Sequence, residues 1–478
     1  MEVKSIKFNY ALNIIRIFVT TLLGLITMPY INKTLGVDSI GKYEFINSII
    51  TYFILFSALG IPTYGIREIA KVRDDLKERS KVTTELFFIL LITNALSYII
   101  LFCIFYFTPL LNSHKSLVLA ICPIIFFTNL SFEWFYQAIE NQLYITIRTV
   151  IVKIITLLAL FLFIDSKDDY ILYALILTIS IVVSNLFNFI YLQKFISLKS
   201  FSLKEINIKR HLKGVFTIFL ATISISIYLQ IDSTLLGIYA SESNVGLYAT
   251  ANKLVRLAIL FVTTIGAVML PRLSYLYKNN EIDLFYNYLN NSLKYILLIS
   301  CPLVILIFGL SKEIILIMAG EEFIEAIIPM KILSILIFII GLSYYFAFMI
   351  LYPKGKEKIY TKIVFISALV SVSLNIILIP TYKEIATSIV TVIVEGVGLV
   401  LMFIYCRKDI LKVNMFGKDN IVIILASIVM LLPIYLICQL NLSNWLKIIV
   451  SGFISLSLFG TILLLTKNST IKPILKKI

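Results

Sequence analysis

GKYEFINSI at 41–49 and GLYATANKL at 246–254 share one pattern, Gly-x-Tyr-x-x-x-Asn-x-Ile/Leu, and each follows a Leu-Gly pair, Leu35-Gly36 and Leu236-Gly237. The two phrases stand 205 residues apart, each between a loop and an apolar run. A second echo, FIYLQK at 189–194 against FIYCRK at 403–408, has an offset of 214 residues. Aligned on both echoes, the chain reads as two copies of one block of six apolar segments.

The surrounding composition decides what those segments are. The chain is 60% hydrophobic with a mean hydropathy of +0.97, against roughly 45–50% apolar residues in an average soluble domain. Apolar runs of the length needed to cross a hydrocarbon core of about 30 Å recur from end to end. Fourteen membrane helices are expected, near 11–31, 43–66, 82–107, 115–138, 144–164, 170–193, 212–240, 245–271, 293–318, 327–351, 360–380, 385–406, 420–438 and 446–466. The first run lacks a small-residue cleavage site before INKTLG and reads as a retained helix, not a signal peptide. The fold class is therefore an all-α integral membrane protein: two parallel six-helix repeats and two C-terminal helices. An even number of helices per repeat gives both copies the same orientation, the arrangement that lets two bundles rock about a central site.

The net charge of +15 is distributed as topology demands. With the N-terminus inside, the even-numbered loops collect Arg67, Lys71, Arg73, Lys77, Arg79 and Lys81, then Lys194 to Lys213, Lys354 to Lys362, and Arg407 to Lys418, with Lys467, Lys472, Lys476 and Lys477 in the tail. The opposite loops hold at most two basic residues each. This is the positive-inside pattern with both termini cytoplasmic, and it accounts for the basic excess without nucleic acid. The expected domains are 1–196 as the first lobe, 197–214 as a cytoplasmic linker read as an interfacial helix, 215–410 as the second lobe, and 411–478 as the last two helices and tail.

An ionisable group at the centre of a membrane helix costs about 2.5–3.5 kcal/mol on insertion scales, so it faces a cavity or a partner. The candidates are Arg16, Lys153, Arg256, Lys294 and Lys331 on the cationic side, with Lys253 beside Arg256, and Glu133, Asp232 and Glu395 on the anionic side. The surplus of cations points to an anionic ligand. Arg16 and Arg256 belong to opposite lobes, on spans expected to face a central cleft, and a guanidinium grips phosphate bidentately. The carboxylates are candidates for carrying a coupling ion or for fixing helix ends.

Several sharper patterns fail. GVDSIGKY at 36–43 lacks the final hydroxyl of a phosphate-binding loop, since Tyr43 stands there. His114 and His211 fall in expected loops on opposite sides, so no histidine metal site or catalytic triad is assembled. Five scattered cysteines imply neither disulfides nor a metal site. No cofactor and no enzymatic chemistry is expected.

With these residues in view the chain resembles the Wzx-type flippases of the polysaccharide-transport branch of the MOP exporter superfamily. The resemblance runs through LGVDSIGKYEFINSII with Gly41 and Tyr43, LGIPTYGIREIAK, EWFYQAIENQLYITIRTVIVK at 133–153 with Trp134, Gln137 and Glu140, and QIDSTLLGIYASESNVGLYATANKL at 230–254 with Gly246 and Tyr248. Ala138 stands where the family commonly has glycine. The resemblance implies a V-shaped pair of bundles in a bacterial cytoplasmic membrane. It implies a cargo of undecaprenyl-diphosphate-linked oligosaccharide, turned to the outer leaflet for capsule or O-antigen polymers. Association with a polysaccharide polymerase and chain-length regulator, contact with membrane lipid, and arginines on spans 1 and 8 that engage diphosphate or acidic sugars are further implications. Alternatives within the superfamily are a lipid II flippase and a multidrug or cation antiporter. A membrane-embedded polymerase or acyltransferase is the alternative of another class, opposed by short outer loops and by the absence of a histidine within any expected span.

Overall fold

The computed structural model describes residues 6–470 apart from Leu198 and Ser200; Lys472, Lys476 and Lys477 of the basic tail lie outside the described residues. All regular structure among them is helical. Hydrocarbon offers no partner for a backbone N–H or C=O, so a chain this apolar has to satisfy its backbone within each segment. Side chains such as Phe18, Phe107, Leu162 and Phe453 are 62–76% exposed, as expected where the surrounding solvent is lipid.

Among the described residues, eleven helical stretches are long and apolar enough to cross a membrane, against fourteen expected from hydropathy. Expected spans 1 and 2 fall in the single stretch Ala11–Lys71, spans 11 and 12 in Glu357–Ile410, and span 7 on Lys209–Tyr239, which is not among the eleven. Neither of the two long stretches is one straight rod. The 53 residues of Ile6–Ala58 would extend about 80 Å at 1.5 Å per residue, and the backbone breaks at Gly36, where φ is 74°. Gly36 is the glycine of the first Leu-Gly pair, and the absence of a Cβ makes that conformation cheap. In Glu357–Ile410 the break falls at Lys383, with φ 49°.

The chain forms two compact units, Met1–Thr234 and Leu235–Ile478, whose boundary lies inside helix Lys209–Tyr239. In the first unit, Trp134, Phe135 and Tyr136 of the short helix Glu133–Ala138 fill the core against Ile61, Tyr64 and Ile69 of helix Ile61–Lys71 and Leu86 of helix Leu76–Phe107. Gly65 permits this approach, because a Cβ there would sit 2.4 Å from the Trp134 ring. In the second unit, helix Lys418–Val429 packs on Ile282–Gly309.

The repeated phrase has the same structural task in each unit. In the first, the Ser39 hydroxyl donates to the Lys167 carbonyl at 2.8 Å and Tyr43 meets Tyr173 edge-on at 4.9 Å. In the second, Asn244 donates to Glu384 at 2.6 Å and the Tyr248 and Thr391 hydroxyls lie 3.1 Å apart. Positions 39 and 43 and positions 244 and 248 stand at the same offset as the two phrases. Gly41 and Gly246 are buried between these anchors.

The expected interfacial helix at 197–214 is corrected. The described residues include a 3-10 turn at Leu203–Glu205, and α-helix begins again only at Lys209. His211 consequently lies in the first turn of a helix, not in a loop. The reason is a buried carboxylate. Glu85 has no exposed side-chain surface and accepts from the Asn207 amide at 2.7 Å and from Arg210 Nε at 2.9 Å, while His211 Nε2 lies 2.8 Å away. Tyr64 Oη lies 2.9 Å from the other ring nitrogen of His211. Arg79 donates to the Phe195 carbonyl at 2.8 and 3.1 Å, and the Ser197 amide donates to Ser80 at 2.9 Å. Backbone groups drawn into these bonds are unavailable to a helix, so the segment becomes a strap across the start of helix Leu76–Phe107.

Glu85→Ala leaves Arg210 and His211 without their buried acceptor. We expect a stability loss of about 3 kcal/mol and faster hydrogen exchange over residues 201–211, read by mass spectrometry in detergent. Gly65→Ala is expected to cost about 1–3 kcal/mol through overpacking against Trp134, measured as a lowered thermal midpoint.

Candidate functional site

In the first unit the structure brings three charged side chains together from three helices. Phe132, in the left-handed region at φ 43°, turns the chain so that Glu133 opens the short helix Glu133–Ala138. Glu133 Oε1 accepts from Arg148 Nη2 at 2.7 Å, and Oε2 lies 3.5 Å from Arg16 Nη1. Arg148 comes from helix Gln142–Phe163 and Arg16 from Ile6–Ala58. One carboxylate between two guanidiniums leaves the group one positive charge in excess.

The two arginines are held unequally. The Arg148 side chain is 6% exposed, and its Nη1 also donates to the Ser184 carbonyl at 2.8 Å. Arg16 is 17% exposed, has the longer ion pair, and donates from Nη2 to Asn13 at 2.8 Å on its own helix. Arg148 is therefore the structural partner of Glu133, and Arg16 is the more accessible guanidinium, with donors left over. Arg148 is a residue that the sequence reading passes over. Its signal, a basic side chain inside the apolar run ITIRTVIVK, is the same one that singles out Lys153 five residues later.

Arg256, half-buried on helix Glu242–Lys278, donates from Nε to Asn252 at 3.1 Å and makes no ion pair among the described residues. Both arginines are thus steered by an asparagine about one turn earlier in their own helix. Lys253 is exposed. Lys153 is half-buried on helix Gln142–Phe163 and makes no ion pair among the described residues.

The other cations have identifiable neighbours. Lys294 is bound to Asp419 at 2.9 Å and to Ser469 at 2.7 Å, which ties helix Ile282–Gly309 to the start of Lys418–Val429. The Lys331 ammonium lies 5.7 Å from the centre of the Phe308 ring. Among the acids, Asp232 is buried on helix Lys209–Tyr239, two residues before Thr234, whose hydroxyl lies 2.8 Å from Ser48. Glu395 is half-buried on Glu357–Ile410. Of the motif residues, Trp134 is core, Glu140 accepts from Arg73 at 2.9 Å, and Gln137 faces a cavity of about 300 Å³.

Residues 7–277, more than half of the chain, match the family model described as "Polysaccharide biosynthesis protein", and residues 217–381 match the MatE model. Among curated proteins, the chain is 23% identical over 392 residues to "Putative O-antigen transporter" of Escherichia coli (strain K12), covering 82% of this chain and 94% of that one. It is 27% identical over 180 residues to "Probable low-salt glycan biosynthesis flippase Agl15" of Haloferax volcanii, covering 36% and 37%. Among solved structures, the lipid II flippase MurJ in an inward closed conformation matches with a TM-score of 0.76 at 19% identity, over 96% of this chain and 99% of that one. An inward-facing multidrug resistance MATE transporter of the MOP superfamily matches with a TM-score of 0.62 at 16% identity, over 83% and 97%. At these identities the structural likeness speaks for the fold.

Glu133→Ala strands two guanidiniums. The expected cost is about 3 kcal/mol, near the lower bound for breaking a buried pair because Glu133 is partly exposed. Adding Arg148→Ala to it should restore part of the loss, since the more buried orphan charge is then gone. Thermal denaturation of the purified single and double variants checks both.

Proposed function

The chain belongs to the polysaccharide biosynthesis protein family, and from that premise we propose that it is a flippase for undecaprenyl-diphosphate-linked repeat units. The cargo is turned from the inner to the outer leaflet of a bacterial cytoplasmic membrane by alternating access, with both termini cytoplasmic. The protein is a multi-pass membrane transporter and not an enzyme; what is proposed is its cargo, direction and residues.

The observation that carries the proposal is the excess positive charge at Arg16. A guanidinium with spare donors in a membrane helix matches a planar pair of phosphate oxygens, and Glu133 holds it in place. Arg16 serves the diphosphate in the first unit, with Lys153 as a weaker contributor to the positive potential there; Arg256, with Lys331, is the corresponding candidate of the second unit. Lys294 is assigned to bracing, since Asp419 and Ser469 occupy its ammonium. Glu133 serves as counter-ion to Arg16 and Arg148, which weighs against its being the carrier of a coupling ion. The same pairing disfavours an antiporter for organic cations, whose cargo would meet a net positive site. A lipid II carrier shares the diphosphate chemistry and is separated from this reading by which intermediate accumulates.

In cells depleted of this protein with the glycosyltransferases intact, the lipid-linked repeat unit should build up on the cytoplasmic side while surface polymer disappears. Repeat units that reach the outer leaflet unpolymerised would overturn the flippase reading. Arg16→Ala and Arg256→Ala proteins that reach the membrane are expected to lose at least about tenfold in export, as befits a charge-assisted pair of bonds. Lysine at either position should rescue only part of it, because an ammonium lacks the bidentate fork.

A further inference from the structure

The cavity beside Glu133 is not needed to hold a phosphate, and its walls are wrong for one. It lies wholly within the first unit, has a volume of about 300 Å³, and is lined by apolar residues such as Leu55, Ala58 and Leu90 together with Ser131, Glu133 and Gln137. Its charged lining group is a carboxylate already paired with Arg16 and Arg148, so the lining offers acceptors and no free cation for a phosphate. Yet Glu133 Oε2 lies 3.5 Å from Arg16 Nη1, so the cavity and the phosphate-directed guanidinium are separated by the width of one carboxylate.

The polar lining groups have unspent capacity. The side chains of Thr128, Ser131 and Gln137 make no hydrogen bond among the described residues, and that of Glu133 is 34% exposed. Asn129, by contrast, is committed through Nδ2 to Ser57 at 2.8 Å and Asn94 at 3.2 Å. Hydroxyl, amide and carboxylate groups in one cavity with apolar side chains match a pyranose ring, which has polar edges and apolar C–H faces. The volume sits at the lower limit of small-molecule sites, about 300–1,000 Å³, and suits one ring instead of an oligosaccharide.

We propose that this cavity is the subsite for the first sugar of the cargo, the one bonded directly to the diphosphate, and that it selects an uncharged ring such as a hexose or N-acetylhexosamine. The inference rests on the diphosphate reading of Arg16. A phosphate at Arg16 brings the sugar attached to it within one glycosyl phosphate linkage of the cavity. Gln137 and Ser131 then hydrogen-bond its hydroxyl or acetamido groups, Glu133 accepts from a hydroxyl, and Ala58 leaves room for the C–H face. A uronic acid in this position would place its carboxylate against Glu133.

The test uses full-length protein in nanodiscs and three probes: undecaprenyl diphosphate, undecaprenyl-diphosphate-N-acetylglucosamine and undecaprenyl-diphosphate-galacturonic acid. The wild type should bind the N-acetylglucosamine probe at least about threefold more tightly than undecaprenyl diphosphate, the scale of one or two net hydrogen bonds. The galacturonic acid probe should gain nothing over undecaprenyl diphosphate. Gln137→Leu and Ala58→Leu should abolish the preference while keeping wild-type affinity for undecaprenyl diphosphate, which also reports that each variant is folded. Equal wild-type affinity for all three probes, or variants that retain the preference, overturns the subsite. Arg16→Ala tests the diphosphate reading separately, since it should weaken all three probes alike; unchanged binding of undecaprenyl diphosphate would sink that reading while the sugar preference is still measured in the wild type.

Discussion

Hydrocarbon cannot hydrogen-bond, and that one constraint governs both the backbone and the charges of this protein. It forces the backbone into helices, and it makes every ionisable side chain within them seek a counter-charge, a polar neighbour or a water-lined space. Glu133 with Arg16 and Arg148, and Lys294 with Asp419, are the results of that search. The asparagines that steer Arg16 and Arg256 are a cheaper solution, because a neutral amide orients a guanidinium without cancelling its charge. A charge that is positioned but not cancelled is what a polar cargo crossing a lipid layer can use.

The membrane class and the helical architecture are legible in the sequence because they depend on composition and run length, which survive errors of a few residues. Counting helices is harder. Hydropathy sees the polar stretch around Lys33 and Lys42 as a gap, whereas the backbone stays helical on both sides of Gly36 and departs only at that residue. The repeated phrase is legible as a pattern, but its reason lies in tertiary contacts. Tyr43 and Tyr248 recur because each begins a helix anchored to a partner more than a hundred residues away, Tyr173 and Thr391.

Charges are where sequence reasoning reaches least far. It locates Lys294 in an apolar run but not Asp419, which comes to it from 125 residues further along. It reads the alternation of 197–214 as amphipathic but has no way to foresee that Glu85 takes the Asn207 amide and pulls the segment out of helical geometry. Arg148 carries as clear a signal as Lys153, yet only its 2.7 Å contact with Glu133 distinguishes a bracing cation from a free one. Periodicity reports which residues are buried, and partners separate one buried charge from another.

The net charge of the Arg16 cluster also bears on release. Two uncompensated guanidiniums in a low-dielectric site would attract a diphosphate strongly, since Coulomb energies grow several-fold as the effective dielectric falls from that of water. A carrier that grips its cargo so firmly gains nothing, because tight binding in one state has to be undone before the next. Placing Glu133 against both arginines lowers the charge to a single excess while preserving the directional donors of Arg16. On the proposed reading, recognition then rests on hydrogen-bond geometry more than on total charge, and sugar contacts in the adjoining cavity supply the discrimination that charge alone does not.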